Sequence, residues 1–129
     1  LAERIGKLLD RNANAIAQAT QAVEKAGQAD GLVYVFGTGH SHMLDAETHY
    51  RAGGLALTVP ILAAATMLHD GAVASTAFER MPGVVAAIFA RYPIGPNDVL
   101  VVVSNSGVNA APVEAARLGK ERGATVLIP

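Results

Sequence analysis

The sequence predicts an α/β fold, a three-layer αβα sandwich around a parallel sheet. Three observations carry that prediction. Leu32 to Phe36 and Val99 to Val103 are short apolar runs of β-branched, aromatic and leucine residues, and strands buried on both faces read this way. Helical patterns alternate with these runs, and a βαβα alternation implies right-handed crossovers between parallel strands. Both runs stop in loops rich in glycine and hydroxyl side chains, Gly37-Thr-Gly-His-Ser41 and Ser104-Asn-Ser-Gly107, directly before a helical stretch.

Taken in order, residues 1–27 form an amphipathic helix, with Leu1, Ile5, Leu8, Ile16, Ala19 and Val23 on a stripe of three- and four-residue spacings that Asn12 breaks between Leu8 and Ile16. Such a helix covers the sheet or pairs with its twin in a second subunit. Gly27 and Gly31 bracket the turn into the first strand. A helix is expected from Ser41 to Ala52, ended by Gly53-Gly54. Leu55 to Leu62 is a second strand, weakened by Pro60, which has no N–H for a ladder. Residues 63–75 read as a loop with at most one helical turn. Thr76 and Glu79 have capping-box spacing and are expected to begin a helix, which Pro82 interrupts or restarts. Val84, Val85, Ile88 and Phe89 give that helix its buried face. The turn cluster Pro93 to Asp98 leads into the strand 99–103. Pro112 fits the first turn of a helix running to Arg122 and capped by Gly123, and Ala124 to Ile128 is a fourth strand.

Composition narrows the function classes. The 129 residues, 51% of them hydrophobic, suit one domain with a core of its own. A formal net charge of -1 and the absence of a Lys/Arg run remove the electrostatic footprint of nucleic-acid binding. With no cysteine there is no disulfide and no thiolate chemistry. No apolar run is long enough to span a membrane and no signal-peptide pattern is present, so a cytoplasmic protein is expected, with no membrane partner. The chain starts at Leu1 rather than Met and stops after an apolar run, which suggests trimmed ends or a fragment of a longer protein.

The two loops carry the functional signal. A strand ending in glycines before a helix offers backbone N–H groups and a helix N-terminus to an anion. Ligands of open α/β sheets bind at the carboxyl ends of the strands, where strand order reverses. If the first and third strands are neighbours, Ser41, Ser104, Ser106 and the amides around Gly37, Gly39 and Gly107 converge on one crevice. Hydroxyls and amides hold phosphate without a lysine and suit a small phosphorylated ligand. Each loop alone is also an ordinary turn, because Ser and Gly turn well. The first loop has two glycines of the dinucleotide fingerprint but not the third, and no acidic residue follows a second strand at the expected distance.

Ser104-Asn-Ser-Gly-Val-Asn109 after a valine-rich strand, then a helix with Glu114 and Lys120-Glu-Arg-Gly-Ala-Thr-Val126, resembles the sugar isomerase (SIS) domain family. The loop Gly37-Thr-Gly-His-Ser41 is similar to that family's first phosphosugar loop. Gly37 to His42, with Tyr50-Arg-Ala-Gly-Gly54 and His69-Asp-Gly71, resembles a bacterial branch labelled as phosphosugar or phosphoheptose isomerase. The resemblance implies a flavodoxin-like strand order, a homodimer and a sugar phosphate as ligand. The N-terminal helix would occupy residues 1–30 and the SIS-type domain 31–129. Substrate would be held by Gly37, Thr38, Gly39, Ser41, Ser104, Asn105, Ser106, Gly107 and Asn109. The family usually has Thr at the place of Asn109, and its domain continues with a further helix and strand. In ungapped register from Ser41, the glutamate position of phosphoheptose isomerases falls on Arg51.

Aldose–ketose isomerisation moves a proton between adjacent carbons, so it needs a base and an acid. The sequence candidate for the base is Glu47, on the helix leaving the first loop. The alternative is an exposed Glu paired with Arg51 four residues on. His40, His42 and His69 are proton-transfer candidates, because histidine titrates near pH ~6.5. His40, inside the loop, either touches ligand or caps the turn. His42, Asp45 and His49 share a helical face compatible with metal ligation or with a solvated polar surface. The expected protein is a phosphosugar-binding domain and sugar-phosphate isomerase that needs no cofactor and no metal. A phosphosugar sensor and an amino-sugar phosphate lyase or etherase are the alternatives.

Overall fold

The computed structural model describes Leu1–Pro129 and bears out the predicted class. Four strands, β1 (Val33–Gly37), β2 (Thr58–Pro60), β3 (Val99–Val103) and β4 (Thr125–Leu127), form one parallel sheet in the order β2-β1-β3-β4. β1 and β3 are adjacent and in full register from Val33↔Val99 to Gly37↔Val103, so their carboxyl ends lie side by side. The strand order reverses at this pair, as the argument from the two loops requires.

Alternation along β1 and β3 sends successive side chains to opposite faces. Tyr34, Phe36, Leu100 and Val102 pack with Val85, Ile88, Phe89, Ala111 and Ala115, which belong to α4 (Val84–Phe89) and α5 (Ala110–Glu121). Phe36 meets Phe89 edge-on at 5.6 Å. Val33 and Val99 face the other way, onto Ala22, Val23 and Ala26 near the end of the 27-residue helix α1 (Ala2–Gln28). At the start of α4, the N–H groups of Gly83, its N-cap, and of Val85 donate to Glu114 of α5 at 3.1 and 3.3 Å. This satisfies donors that a short helix leaves open.

Several boundaries differ from the sequence reading. α2 spans only His42–Thr48, and a looser segment reaches Thr58. β2 is three residues long because Pro60 can end an edge strand but not continue its ladder; the bond from Ile61 N to Val35 O at 2.8 Å takes over. Residues 63–71 contain two 3-10 turns, Ala64–Thr66 and Leu68–Asp70. α3 spans Ala72–Phe78, so Glu79 follows its last turn and does not close a capping box at its start. Gly71, at φ 138°, permits the sharp entry into α3. No helix is long and apolar enough to cross a membrane.

Candidate functional site

The first loop is built around Gly37. A Cβ there would lie 2.7 Å from the Ser41 carbonyl carbon, so only glycine lets the chain double back onto the start of α2. The Gly37 N–H points inward and donates to Asp45 Oδ2 at 2.6 Å. Gly39, at φ 57°, donates to Thr66 O at 3.0 Å and pairs with Met67, which ties the loop to the turns after β2. Ser75 Oγ donates to the same Thr66 carbonyl at 3.2 Å. In the second loop Gly107, at φ 66°, donates its N–H to Ser104 Oγ at 3.0 Å. Three glycine amides therefore shape the loops rather than face the crevice. The amides of His40, Asn105 and Ser106 and the hydroxyls of Ser41 and Ser106 make no hydrogen bond within the chain, which leaves them as the donors available to a ligand.

One carboxylate joins the two loops. Glu79 Oε2 accepts from Thr38 Oγ1 at 3.0 Å, and Glu79 Oε1 accepts from Asn109 Nδ2 at 3.0 Å. Its backbone carbonyl accepts the N–H of Ala111, in the first turn of α5, at 2.9 Å. Glu79 is thus fixed at both backbone and side chain, between the ends of β1 and β3. The sequence reading missed this role because it placed Glu79 inside a helix start. The only available signal was that a Glu after a short helix lay between two glycine loops.

The candidate residues separate into groups. Thr38, Gly39, Ser41, Ser104 and Asn109 are half-buried, while His40, Asn105, Ser106 and Gly107 are exposed. Glu47 lies in the last turn of α2, about 9 Å along the axis from Ser41 at ~1.5 Å per residue. It is exposed and paired with Arg51. His69 is exposed but close enough to His42 to oppose its charging. His42 is buried, and desolvation first, then His69, push its pKa down. Asp45 is fully buried; burial pushes its pKa up to about 7, against the opposing pull of the Gly37 N–H. His42 Nε2 and Asp45 Oδ1 have no partner.

His42 and Asp45 are therefore neither a solvated surface nor, with His49 exposed, two members of a three-ligand set. α2 is inverted relative to an ordinary amphipathic helix. His42 and Asp45 point inward, while Met43 and Leu44 are each 54% exposed. A shallow cavity of about 650 Å3 lies at the far end of α2, lined by Thr48, His49, Tyr50, Arg51 and Leu55 among others. It contains no buried polar group, and the loops at the opposite end of α2 carry the organised donors.

Comparison with known proteins agrees with this geometry. A family model described as the SIS domain matches residues 1–127. A UPF0309 protein of Brucella suis is 59% identical over 126 residues, covering 98% of this chain and 52% of that protein. A UPF0309 protein of Brucella anthropi is 58% identical over 127 residues, with 98% and 52% covered. The chain spans about half the length of the curated relatives it matches. Among solved structures, phosphoheptose isomerase GmhA from Neisseria gonorrhoeae superposes with a TM-score of 0.53 at 23% identity, over 99% of this chain and 74% of that one. That likeness is one of fold. The glycine loops at adjacent strand ends and the match over nearly the whole chain lead to one assignment: the chain belongs to the SIS domain family.

Proposed function

We propose that this domain binds a sugar phosphate in the crevice between the β1 and β3 loops and that the protein catalyses aldose–ketose isomerisation of it. The observation that carries the reading is the juxtaposition of two glycine- and hydroxyl-rich loops at the reversal point of a parallel sheet, with open donors at Ser41, Ser106 and the amides of His40, Asn105 and Ser106. These groups would take the phosphate, which neutral donors bind well when several converge. Family membership supports the ligand class, and the fold shared with a phosphoheptose isomerase supports the reaction class.

Proton transfer asks more of the site. Glu47 can serve as base only if Arg51 releases it and the sugar extends along α2 to its last turn. His40 and His69, both exposed at the rim, are the candidates for the acid. The pairing of Glu47 with Arg51 is the one feature that favours the second reading, a sensor that binds the same ligand without turning it over. A cytoplasmic location and a homodimer belong to the proposal.

The test is thermal. Sugar phosphates should raise the melting temperature, and the same sugars without phosphate should not, because the open donors await an anion. Equal shifts from both, or from neither, would remove the phosphosugar reading.

A further inference from the structure

We infer that Glu79 determines specificity in this site by accepting hydrogen bonds from the sugar's hydroxyl groups, so that the phosphate and sugar ends of the crevice are chemically distinct. The inference rests on the phosphosugar reading and adds a residue and an orientation to it.

A carboxylate offers about four lone-pair sites, and Glu79 uses one per oxygen, on Thr38 and on Asn109. Thr38 has a single O–H, and it is spent on Glu79, so that hydroxyl has only lone pairs left for a ligand. Asn109 retains its Oδ1 acceptor and one N–H. This part of the crevice is therefore rich in acceptors and carries a negative charge. A phosphate, itself anionic and all acceptor at its oxygens, is repelled there. Sugar hydroxyls, each a donor, are matched. The donors that suit phosphate lie elsewhere, at Ser41, Ser106 and the amides of His40, Asn105 and Ser106. Thr38 and Asn109, expected from sequence to hold substrate, are thereby assigned to its sugar end.

Rigidity supports the assignment. The Ala111 bond to the Glu79 carbonyl and the two side-chain bonds hold the carboxylate before any ligand arrives. Glu79 also touches both loops, whereas Glu47 pairs with Arg51 and Asp45 is buried beneath Gly37.

The experiment measures the affinity of the intact protein and of Glu79→Gln for two ligands by calorimetric titration. The ligands are inorganic phosphate and a panel of aldose and ketose phosphates with five, six and seven carbons. In Glu79→Gln the sugar-phosphate affinity should fall roughly tenfold or more, as expected when a hydrogen bond to a charged group is lost. Affinity for inorganic phosphate should hold or rise, since a repelling charge is gone. If both affinities fall by the same factor, Glu79 is only a brace between the loops and the inference fails. If neither changes, Glu79 does not meet the sugar and the inference fails again. A wild-type protein that binds no member of the panel overturns the phosphosugar reading itself, a result separable from the other two. Should Glu79→Gln melt without a folded baseline, Glu79→Asp, too short to hold both partners, is read by the same ratio, and an unchanged ratio overturns the inference.

Discussion

Asp45 holds the first glycine loop from beneath, accepting the Gly37 N–H at 2.6 Å from a fully buried position. A glycine loop has little intrinsic preference for one conformation, so a buried acceptor under its first amide defines where the loop begins. The same burial gives the carboxyl a pKa near 7, against an ordinary value of 3.8. The folded state thus keeps a proton that the unfolded chain gives up near pH 4.

The first prediction is a pH dependence of stability. Between about pH 4 and pH 7 the native state binds more protons than the unfolded state, so stability falls as pH rises and the loss is complete above pH 7. At ~1.4 kcal/mol per pKa unit the full effect is roughly 4 kcal/mol. His42 acts with the opposite sign. Its pKa is lowered, so it costs stability as pH falls through the range below its ordinary value of 6.5. Both proteins contain His42, so the difference between wild type and Asp45→Asn isolates Asp45. Melting curves should show the wild type losing ground to Asp45→Asn as pH rises from 4 to 7. A constant difference across that range would show that Asp45 does not titrate there.

The second prediction separates the two serines of the second loop. Ser106 has no partner, so Ser106→Ala should weaken sugar-phosphate binding about tenfold, through one lost charge-assisted bond, with little change in melting temperature. Ser104 accepts the Gly107 N–H at 3.0 Å, and Ser104→Ala should lower both affinity and stability. Calorimetry and melting curves on the two variants check this. Identical behaviour of the two would contradict the assignment.

The third concerns assembly. Along α1, Ile5, Leu8, Leu9 and Ile16 are each 47–58% exposed, and on α2 so are Met43 and Leu44. Exposed apolar side chains of this size mark an interface. We expect a homodimer in light scattering, and a shift toward monomer in Leu8→Glu. A monomer mass for the wild type at high concentration would remove the expectation.

The fourth concerns proton transfer. Glu47→Gln should lower solvent-deuterium exchange into substrate by about 10²–10⁴-fold, the usual contribution of a positioned base, while leaving sugar-phosphate binding nearly intact. Glu79→Gln, which removes a contact to the sugar rather than the base, should act mainly by weakening substrate binding. Exchange that persists in Glu47→Gln would show that Glu47 is not the base.

How much of this was legible in the sequence follows from what each element depends on. β1 and β3 were readable because a strand buried on both faces must be apolar throughout, and their loops because Gly37 admits no Cβ. The pairing of β1 with β3 could be posed only as a condition. α2 misled because its buried face is polar, an arrangement that makes sense only once Asp45 meets the amide of Gly37. Glu79 was hidden for a related reason. Its partners lie 41 and 30 positions away, and nothing local distinguishes it from a capping residue. Long-range polar bonds leave no periodic trace.

The central claim is a sugar phosphate seated between the two loops, and the most direct measurement is a crystal structure of the protein soaked with a phosphosugar that raises its melting temperature. The account predicts phosphate density within hydrogen-bond distance of Ser106 and the amides of His40 and Asn105, with sugar hydroxyls turned toward Glu79. Ligand density at full occupancy elsewhere, with the crevice empty, would contradict it.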